Sequence, residues 1–229
     1  MAIFSVVATP IGNLEDITLR ALDVLRRADL ILCEDTRMTK RLLDRHGISA
    51  ATKSYHAHSK MSRTNEVISL LREGKNLALV SDAGTPGISD PGAELVRQVR
   101  SELADEIAAG SVKIESVPGP SALVAALSIA GAPCAEFTFL GFLPHKKGRE
   151  TLFREIAASE RTMVFYESPH RIMKSLESLA EHAAQKTVTV CRELTKIFEE
   201  VKSGMADEVL RYFTDNPEKI KGEFVVIVS

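Results

Sequence analysis

Leu77-Ala78-Leu79-Val80-Ser81-Asp82-Ala83-Gly84-Thr85-Pro86-Gly87-Ile88-Ser89-Asp90-Pro91-Gly92 is the stretch on which the fold turns. Its four leading apolar residues read as a buried strand, and the glycine- and proline-rich run that follows cannot continue it. Asp90 suits a helix N-cap and Pro91 a first helical position, so a helix is expected from about residue 92 to 103. Strand, loop and helix make one step of an α/β chain, and in parallel sheets ligands bind at the carboxyl ends of the strands. Gly84 and Gly87 let the main chain approach a ligand, while Asp82 offers a carboxylate to a cationic or hydroxylated one. The same residues also suit a plain tight turn. No Gly-Lys-Ser/Thr follows and no Gly-x-Gly-x-x-Gly succeeds the first apolar run, which argues against nucleoside triphosphates and nicotinamide cofactors.

Outward from this loop the same rhythm recurs. Residues 3–8 form a β-rich run stopped by Pro10 and Gly12, after which Leu19, Leu22, Leu25 and Ala28 recur at helical spacing. Strands are expected at 30–33, 52–56 and 112–117, with helices reaching about His46 and running from Asn65 to Glu73, where Gly74 suits the C-cap. Beyond Pro118-Gly119-Pro120 an apolar stretch from Ser121 to Ala132, too short for a membrane span, reads as a buried helix. Further strands are expected at 136–140, 161–166, 187–192 and 224–228, with 199–202 as a weaker candidate. The expected fold is α/β: two αβα domains with mainly parallel central sheets, covering residues 1–117 and 118–229.

A chain of 229 residues, 45% hydrophobic, buries a sizeable core, and a formal charge of −2 gives no global field toward a polyanion. A nucleic-acid partner must therefore be met locally. Cys33, Cys134 and Cys191 are odd in number and widely spaced, which fits a reducing cytoplasm. No secretory leader precedes the first strand, so a cytoplasmic location and no membrane association are expected.

Local basic patches do exist. Arg37, Lys40, Arg41, Arg45, Lys53, Lys60 and Arg63, with His46, His56 and His58 among them, include a single acidic residue, Asp44. Such a run neutralises phosphates without reading bases, or else forms an ordinary solvated helix face. His145, Lys146, Lys147 and Arg149 make a shorter run. Tyr55 and Phe142 beside these runs are candidates to stack on a splayed base, or else core residues. His56 and His58 share one side of a strand, yet no third ligand accompanies them and no metal site is expected. Ser168-Pro169-His170-Arg171 reads as an N-cap, a first-turn proline and an amphipathic helix carrying Ile172, Leu176 and Leu179.

Three punctuated loops in order, Val7-Ala8-Thr9-Pro10-Ile11-Gly12-Asn13-Leu14, then 81–87, then Pro118-Gly119-Pro120-Ser121, resemble the tetrapyrrole methylase superfamily across essentially the whole chain. Within it, Cys33-Glu34-Asp35-Thr36-Arg37, Phe165-Tyr166-Glu167-Ser168-Pro169-His170-Arg171, Cys191-Arg192-Glu193-Leu194-Thr195-Lys196 and Gly222-Glu223-Phe224-Val225 are similar to the ribosomal RNA small subunit methyltransferase I branch. The resemblance implies S-adenosylmethionine held in a cleft between two domains, a homodimer, and methylation of a cytidine ribose 2′-hydroxyl in the decoding region of small-subunit ribosomal RNA or the 30S subunit. It implies cofactor contacts at Pro10, Gly12, Asp82, Gly84, Thr85, Pro86, Ser121, Ala122, Tyr166, Glu167, Arg192, Gly222 and Glu223. Many relatives carry a further C-terminal segment, whereas this sequence stops at Ser229.

Methyl transfer to an oxygen needs no metal, but the hydroxyl must lose its proton, and Glu34, Asp35, Glu193 and Lys196, with His170, are the candidates. Asp35 before Thr36 also suits a plain helix start. RNA contacts are expected at Arg37, Lys40, Arg41, Arg45, Lys60, Arg63, Lys146, Lys147 and Arg171. Two alternatives stand beside this reading: a methylase of a small tetrapyrrole, such as a precorrin or uroporphyrinogen, and a non-catalytic S-adenosylmethionine-binding module. The run from Arg37 to Arg63 argues against the tetrapyrrole substrate.

Overall fold

The computed structural model describes residues 1–55 and 60–229, and for 60–63 the backbone alone. The chain divides into two compact units, Met1–Ser121 and Ala122–Ser229. The first contains β1 (Ala2–Val7), α1 (Leu19–Arg27), β2 (Leu30–Cys33), α2 (Thr36–Arg45), β3 (Thr52–Ser54), α3 (Lys60–Arg72), β4 (Leu77–Leu79), α4 (Gly92–Glu102), α5 (Ala104–Ala108) and β5 (Val112–Val117). Its five strands run in the order β3-β2-β4-β1-β5, every pairing parallel.

That order sends the chain one way across the sheet from β1 to β3 and back the other way from β3 to β5. Right-handed crossovers then put the early and late helices on opposite faces. The side chains agree. Phe4, Leu32, Leu77 and Leu79 pack with Val67, Ile68 and Leu71 of α3 and with Leu95 and Val99 of α4. Val7, Ile31, Cys33, Ala78 and Val80, one residue out of phase, pack with Ala21, Leu22 and Leu25 of α1 and with Leu42 and Leu43 of α2. Burial on both faces explains why these strands read as continuous apolar runs. Gly74 closes α3 as expected, at φ +85°, with Gly74 N–H on Leu71 O and Lys75 N–H on Leu70 O.

Some expectations need correcting. Leu19 begins α1 but lies 82% exposed, so the buried stripe of that helix is Ala21, Leu22 and Leu25. The helix after the glycine-rich loop starts at Gly92, as expected, but its N-cap is Pro91 and not Asp90; the Asp90 carboxylate accepts the Gly92 N–H at 2.7 Å from one residue further back. Tyr55 is buried among Phe4, Val67 and Leu71 and is a core residue.

The second unit contains α6 (Ala122–Ala130), β6 (Phe137–Phe142), α7 (Arg149–Ala158), β7 (Thr162–Glu167), α8 (Ile172–His182), β8 (Thr187–Arg192), β9 (Glu200–Met205), α9 (Ala206–Asp215) and β10 (Phe224–Val228). The strand order is β6-β7-β10-β8-β9, and only β6 and β7 pair in parallel. The expectation of mainly parallel sheets therefore holds for the first unit and is corrected for the second. The cause is local: the 193–199 connection is shorter than the dozen or so residues a crossover takes, so β8 and β9 form a hairpin. After that reversal α9 carries the chain back, and β10 enters between β7 and β8 against both. Phe165, Val188, Val190, Phe224 and Val226 pack with α7, α8 and α9 on one face. α6 covers the other face with Ala126 and Leu127 alone; Val124 and Ile129 are exposed, so this helix is not the wholly buried one its composition suggested. Likewise α8 begins at Ile172, one turn after Ser168, because Ser168 O takes the Arg171 and Ile172 N–H groups in a preceding turn.

Candidate functional site

In the first unit all five strands end at one edge, and the loops leaving β1, β4 and β5 are tied together there. Thr9 and Gly84 exchange two backbone hydrogen bonds, of 2.9 and 3.0 Å, and the Thr9 hydroxyl donates to Ser81 O. The Thr85 hydroxyl donates to Pro120 O at 3.2 Å, which draws in the third loop just before Ser121 and Ala122. Gly84 sits at φ +76°, where a Cβ would come within 3.4 Å of Ile11 and 3.7 Å of Pro120 O. A side chain there is strained by conformation, while its Cβ would make ordinary contacts. Asp90 closes the far end of the loop by accepting the Gly87 N–H with both oxygens at 2.9 Å. Pro10 and Pro86 are buried within this arrangement, while Gly12 and Asp82 are exposed.

The loop after β2 joins the same edge through acidic side chains. Asp82 Oδ1 accepts the Asp35 N–H at 2.9 Å, and Glu34 Oε1 faces the Asp82 N–H at 3.4 Å. Asp35 caps α2 by accepting the Arg37 N–H and grips the Arg37 guanidinium at 2.6 Å. Hydrogen bonds from that side chain and backbone hold its carboxyl down to about 2, far from the range in which a carboxylate makes an effective base. The capping reading of Asp35 is the one the geometry supports.

Along α2, Arg37, Lys40, Arg41 and Arg45 are all exposed. Tertiary contacts supply acids that the linear run lacks: Arg45 pairs with Glu15 at 3.0 Å and Lys53 with Glu66 at 2.5 Å. Among the described residues no carboxylate lies within ion-pair distance of Lys40 or Arg41. His56 and His58, and the side chains of Lys60 and Arg63, lie outside the described residues. Among the described residues no group of three His, Cys, Asp or Glu is placed to hold a metal, and no helix is long and apolar enough to cross a membrane.

In the second unit the candidate residues fall into two clusters. One joins the ends of β8 and β10. Arg192, nearly buried, donates to Lys221 O at 2.9 Å and to Phe198 O at 3.0 Å, fastening two loops. Glu193 stands at φ +50°, its N–H on Glu223 O and its carboxylate accepting the Glu223 N–H and Lys196 Nζ. Lys196 Nζ also reaches Glu223 at 2.8 Å. Burial alone raises the Glu193 carboxyl and lowers the Lys196 ammonium, but these hydrogen bonds outweigh it and move both the opposite way. Both groups are held in their charged forms. Gly222, at φ +88°, has no room for a side chain: a Cβ would lie 2.3 Å from Glu193 Cδ.

The other cluster surrounds Glu167, whose side chain is fully enclosed. Its oxygens accept the Ser168 N–H and the Ser175 hydroxyl at 2.9 and 2.7 Å, and Arg171 Nε stands 2.9 Å away as an ion-pair partner. These partners make Glu167 an internal tie between β7 and α8. Arg171 is correspondingly turned inward. Tyr166 accepts the Leu123 N–H at 3.2 Å, meets Phe139 and Phe142 edge-on, and has its phenol raised by burial. Sequence reading missed Ser175 and the tie made by Thr9. A signal existed for Ser175, a polar residue inside the apolar stripe of Ile172, Leu176 and Leu179, which demands a buried partner.

A parallel unit whose punctuated loops meet at one sheet edge, followed by a mixed unit, is the architecture of the tetrapyrrole methylases. The profile of the Tetrapyrrole (Corrin/Porphyrin) Methylases matches residues 4–210. A solved structure of the methyltransferase CobJ superposes with a TM-score of 0.68 at 20% identity, covering 100% of this chain and 93% of that one. Uroporphyrin-III-C-methyltransferase from Thermus thermophilus superposes with a TM-score of 0.66 at 19% identity, covering 99% and 94%. Two curated relatives are closer in sequence. The ribosomal RNA small subunit methyltransferase I of Thermotoga maritima is 42% identical, over 98% of this chain and 96% of its own length. That of Escherichia coli O157:H7 is 44% identical, over 98% and 76%. The chain belongs to the tetrapyrrole methylase family, in its ribosomal RNA small subunit methyltransferase I branch.

Proposed function

We propose that the chain transfers a methyl group from S-adenosylmethionine to a cytidine ribose 2′-hydroxyl of small-subunit ribosomal RNA, as a homodimer. The observation that carries the substrate is the 42–44% identity, across nearly the whole chain, to proteins named for that RNA. S-adenosylmethionine presents a sulfonium cation, an amino-acid end and ribose hydroxyls. The chemistry of the first unit's sheet edge fits it: Asp82 supplies an exposed carboxylate, Gly12, Gly84 and Thr85 a rim with little side-chain bulk, and Ser121 and Ala122 follow the Pro120 carbonyl. In the second unit the proposed contacts are Tyr166, Arg192, Gly222 and Glu223.

When bound, the cofactor supplies an electrophilic methyl. The chain's own work is then to hold the accepting hydroxyl in line, which accounts for much of such an acceleration. Asp35, Glu193 and Lys196 are fastened as charged loop ties, and the reading assigns them that work instead of proton removal. Glu34, beside Asp82, is the carboxylate it assigns to the proton. Lys40, Arg41, Lys146 and Lys147, all exposed, are assigned to RNA phosphates. Dimerisation is supported by the exposed apolar Val124 and Ile129 of α6, and light scattering on the purified protein tests it.

The decisive experiment is incorporation of labelled methyl into unmodified small-subunit RNA and into intact 30S subunits. Incorporation at a 2′-oxygen is expected, and none into either overturns the substrate. Calorimetry tests the cofactor seat: Asp82→Ala is expected to weaken S-adenosylmethionine binding about tenfold, the cost of losing one charged hydrogen-bond acceptor. Unchanged affinity removes Asp82 from the seat.

A further inference from the structure

We propose that Glu167, Arg149, Ser175 and Arg171 form a positioning device that presents the 143–148 loop as a phosphate-binding platform. The proposal rests on the RNA reading above and assigns new roles to Glu167, Arg149 and Arg171. β6 and β7 are adjacent parallel strands, so the loops that follow them leave the sheet side by side. Arg149 Nη1 donates to Pro144 O at 3.2 Å and its Nη2 to the Ser175 hydroxyl at 2.7 Å. Arg171 Nη1 donates to Leu143 O at 2.8 Å. Two guanidiniums thus hold the two carbonyls at the base of one loop. Both are largely buried, and both lean on the single enclosed carboxylate of Glu167, at 3.6 Å from Arg149 and 2.9 Å from Arg171.

The charge count is what separates this from a plain structural pair. One arginine would neutralise Glu167; two leave a surplus positive charge where solvent screens it poorly. The same loop carries His145, Lys146 and Lys147, and the loop after β7 carries His170, all exposed. Gly148, at φ +80°, turns the chain back so that Arg149 N–H closes onto Lys146 O. Of the two exposed acids on α7, Glu150, the one next to the loop, is occupied by Arg154 at 2.5 Å. A rigid base, an unbalanced cation beneath it and two lysines at the crest make a site for successive phosphates of a single strand.

The test measures binding of unmodified small-subunit RNA, and of poly(U) as a sequence-neutral probe, between 50 and 200 mM salt. The variants are K146Q/K147Q, R149M, R149K and the combination of R149M with K146Q/K147Q. The surface pair is expected to weaken binding about tenfold at 100 mM salt and to flatten the salt slope by about 1.4, the share of two single-strand phosphates. R149K keeps the charge but loses the forked geometry, and it is expected to lose affinity, though less than R149M, which removes the charge as well. Combining R149M with the lysine changes is expected to cost little more than either alone. Unchanged affinity in K146Q/K147Q, wild-type affinity in R149K, or simple additivity each overturns the device. Poly(U) binding that responds to these variants, in a protein that methylates no small-subunit RNA, keeps the platform and removes the substrate reading.

Discussion

The two units are built from the same kinds of element and tie their loops in opposite ways. In the first, an all-parallel sheet brings every strand end to one edge, so loops from β1, β4 and β5 meet and are clasped by main-chain and hydroxyl hydrogen bonds at Thr9, Gly84 and Thr85. In the second, the β8–β9 hairpin reverses the later strands and divides the loops between both ends of the sheet. There the ties are charged side chains: Glu167 with two arginines, Glu193 with Lys196, and Arg192 across two loops. Topology thus decides whether main-chain and hydroxyl bonds can join three strand-end loops or charged pairs must do it.

Four measurements test that contrast, and the largest effect belongs to the second unit. Glu167→Leu leaves two buried guanidiniums without their carboxylate and is expected to cost about 4 kcal/mol by denaturant unfolding. A loss under about 1 kcal/mol means that the ion pair is not what holds these loops. Gly222→Ala forces a Cβ against the Glu193 carboxylate at a positive φ and is expected to cost about 3 kcal/mol, with the Glu193–Lys196 contact broken. In the first unit, Gly84→Ala meets conformational strain alone and is expected to cost about 1–2 kcal/mol while weakening cofactor binding. If Gly84→Ala proves the costlier of the two glycine changes, the contrast is reversed. The smallest effect is a proton: the Asp35 carboxyl lies below its ordinary 3.8, at about 2. A group depressed in the folded state stabilises above its unfolded value and loses that contribution as pH falls through the folded one. An NMR titration is therefore expected to show Asp35 protonating near pH 2, and a midpoint near 4 removes the Arg37 grip.

The contrast also explains what could be read from sequence. Strands of the first unit fell within a residue or two of expectation, most plainly where a short apolar run precedes a punctuated loop, as at Leu77–Leu79 before the 81–92 loop. Strand positions in the second unit were nearly as legible, from Thr187–Arg192 to Phe224–Val228, but their directions were not. Direction depends on whether a connection crosses over or folds back, and the weak reading of the 199–202 strand hid the short 193–199 connection that decides it. The loops that gather at the first unit's edge were legible as punctuation. The roles of Glu167, Ser175 and Arg149 were not, because an enclosed carboxylate and an exposed one have the same letter, and only the packing of α7 and α8 against β7 tells them apart. The acidic partners of Arg45 and Lys53 were not legible for a similar reason: Glu15 and Glu66 are distant from them in sequence.

The paired main-chain bonds between Thr9 and Gly84 have one more consequence. They are made by amide groups that every residue except proline carries, so the clasp places few demands on the side chains around it. Exposed neighbours such as Ala83 and Ile88 are then open to replacement without unfastening the seat. A laboratory library that varies those positions while holding Gly84 fixed should keep the fold and explore new acceptors.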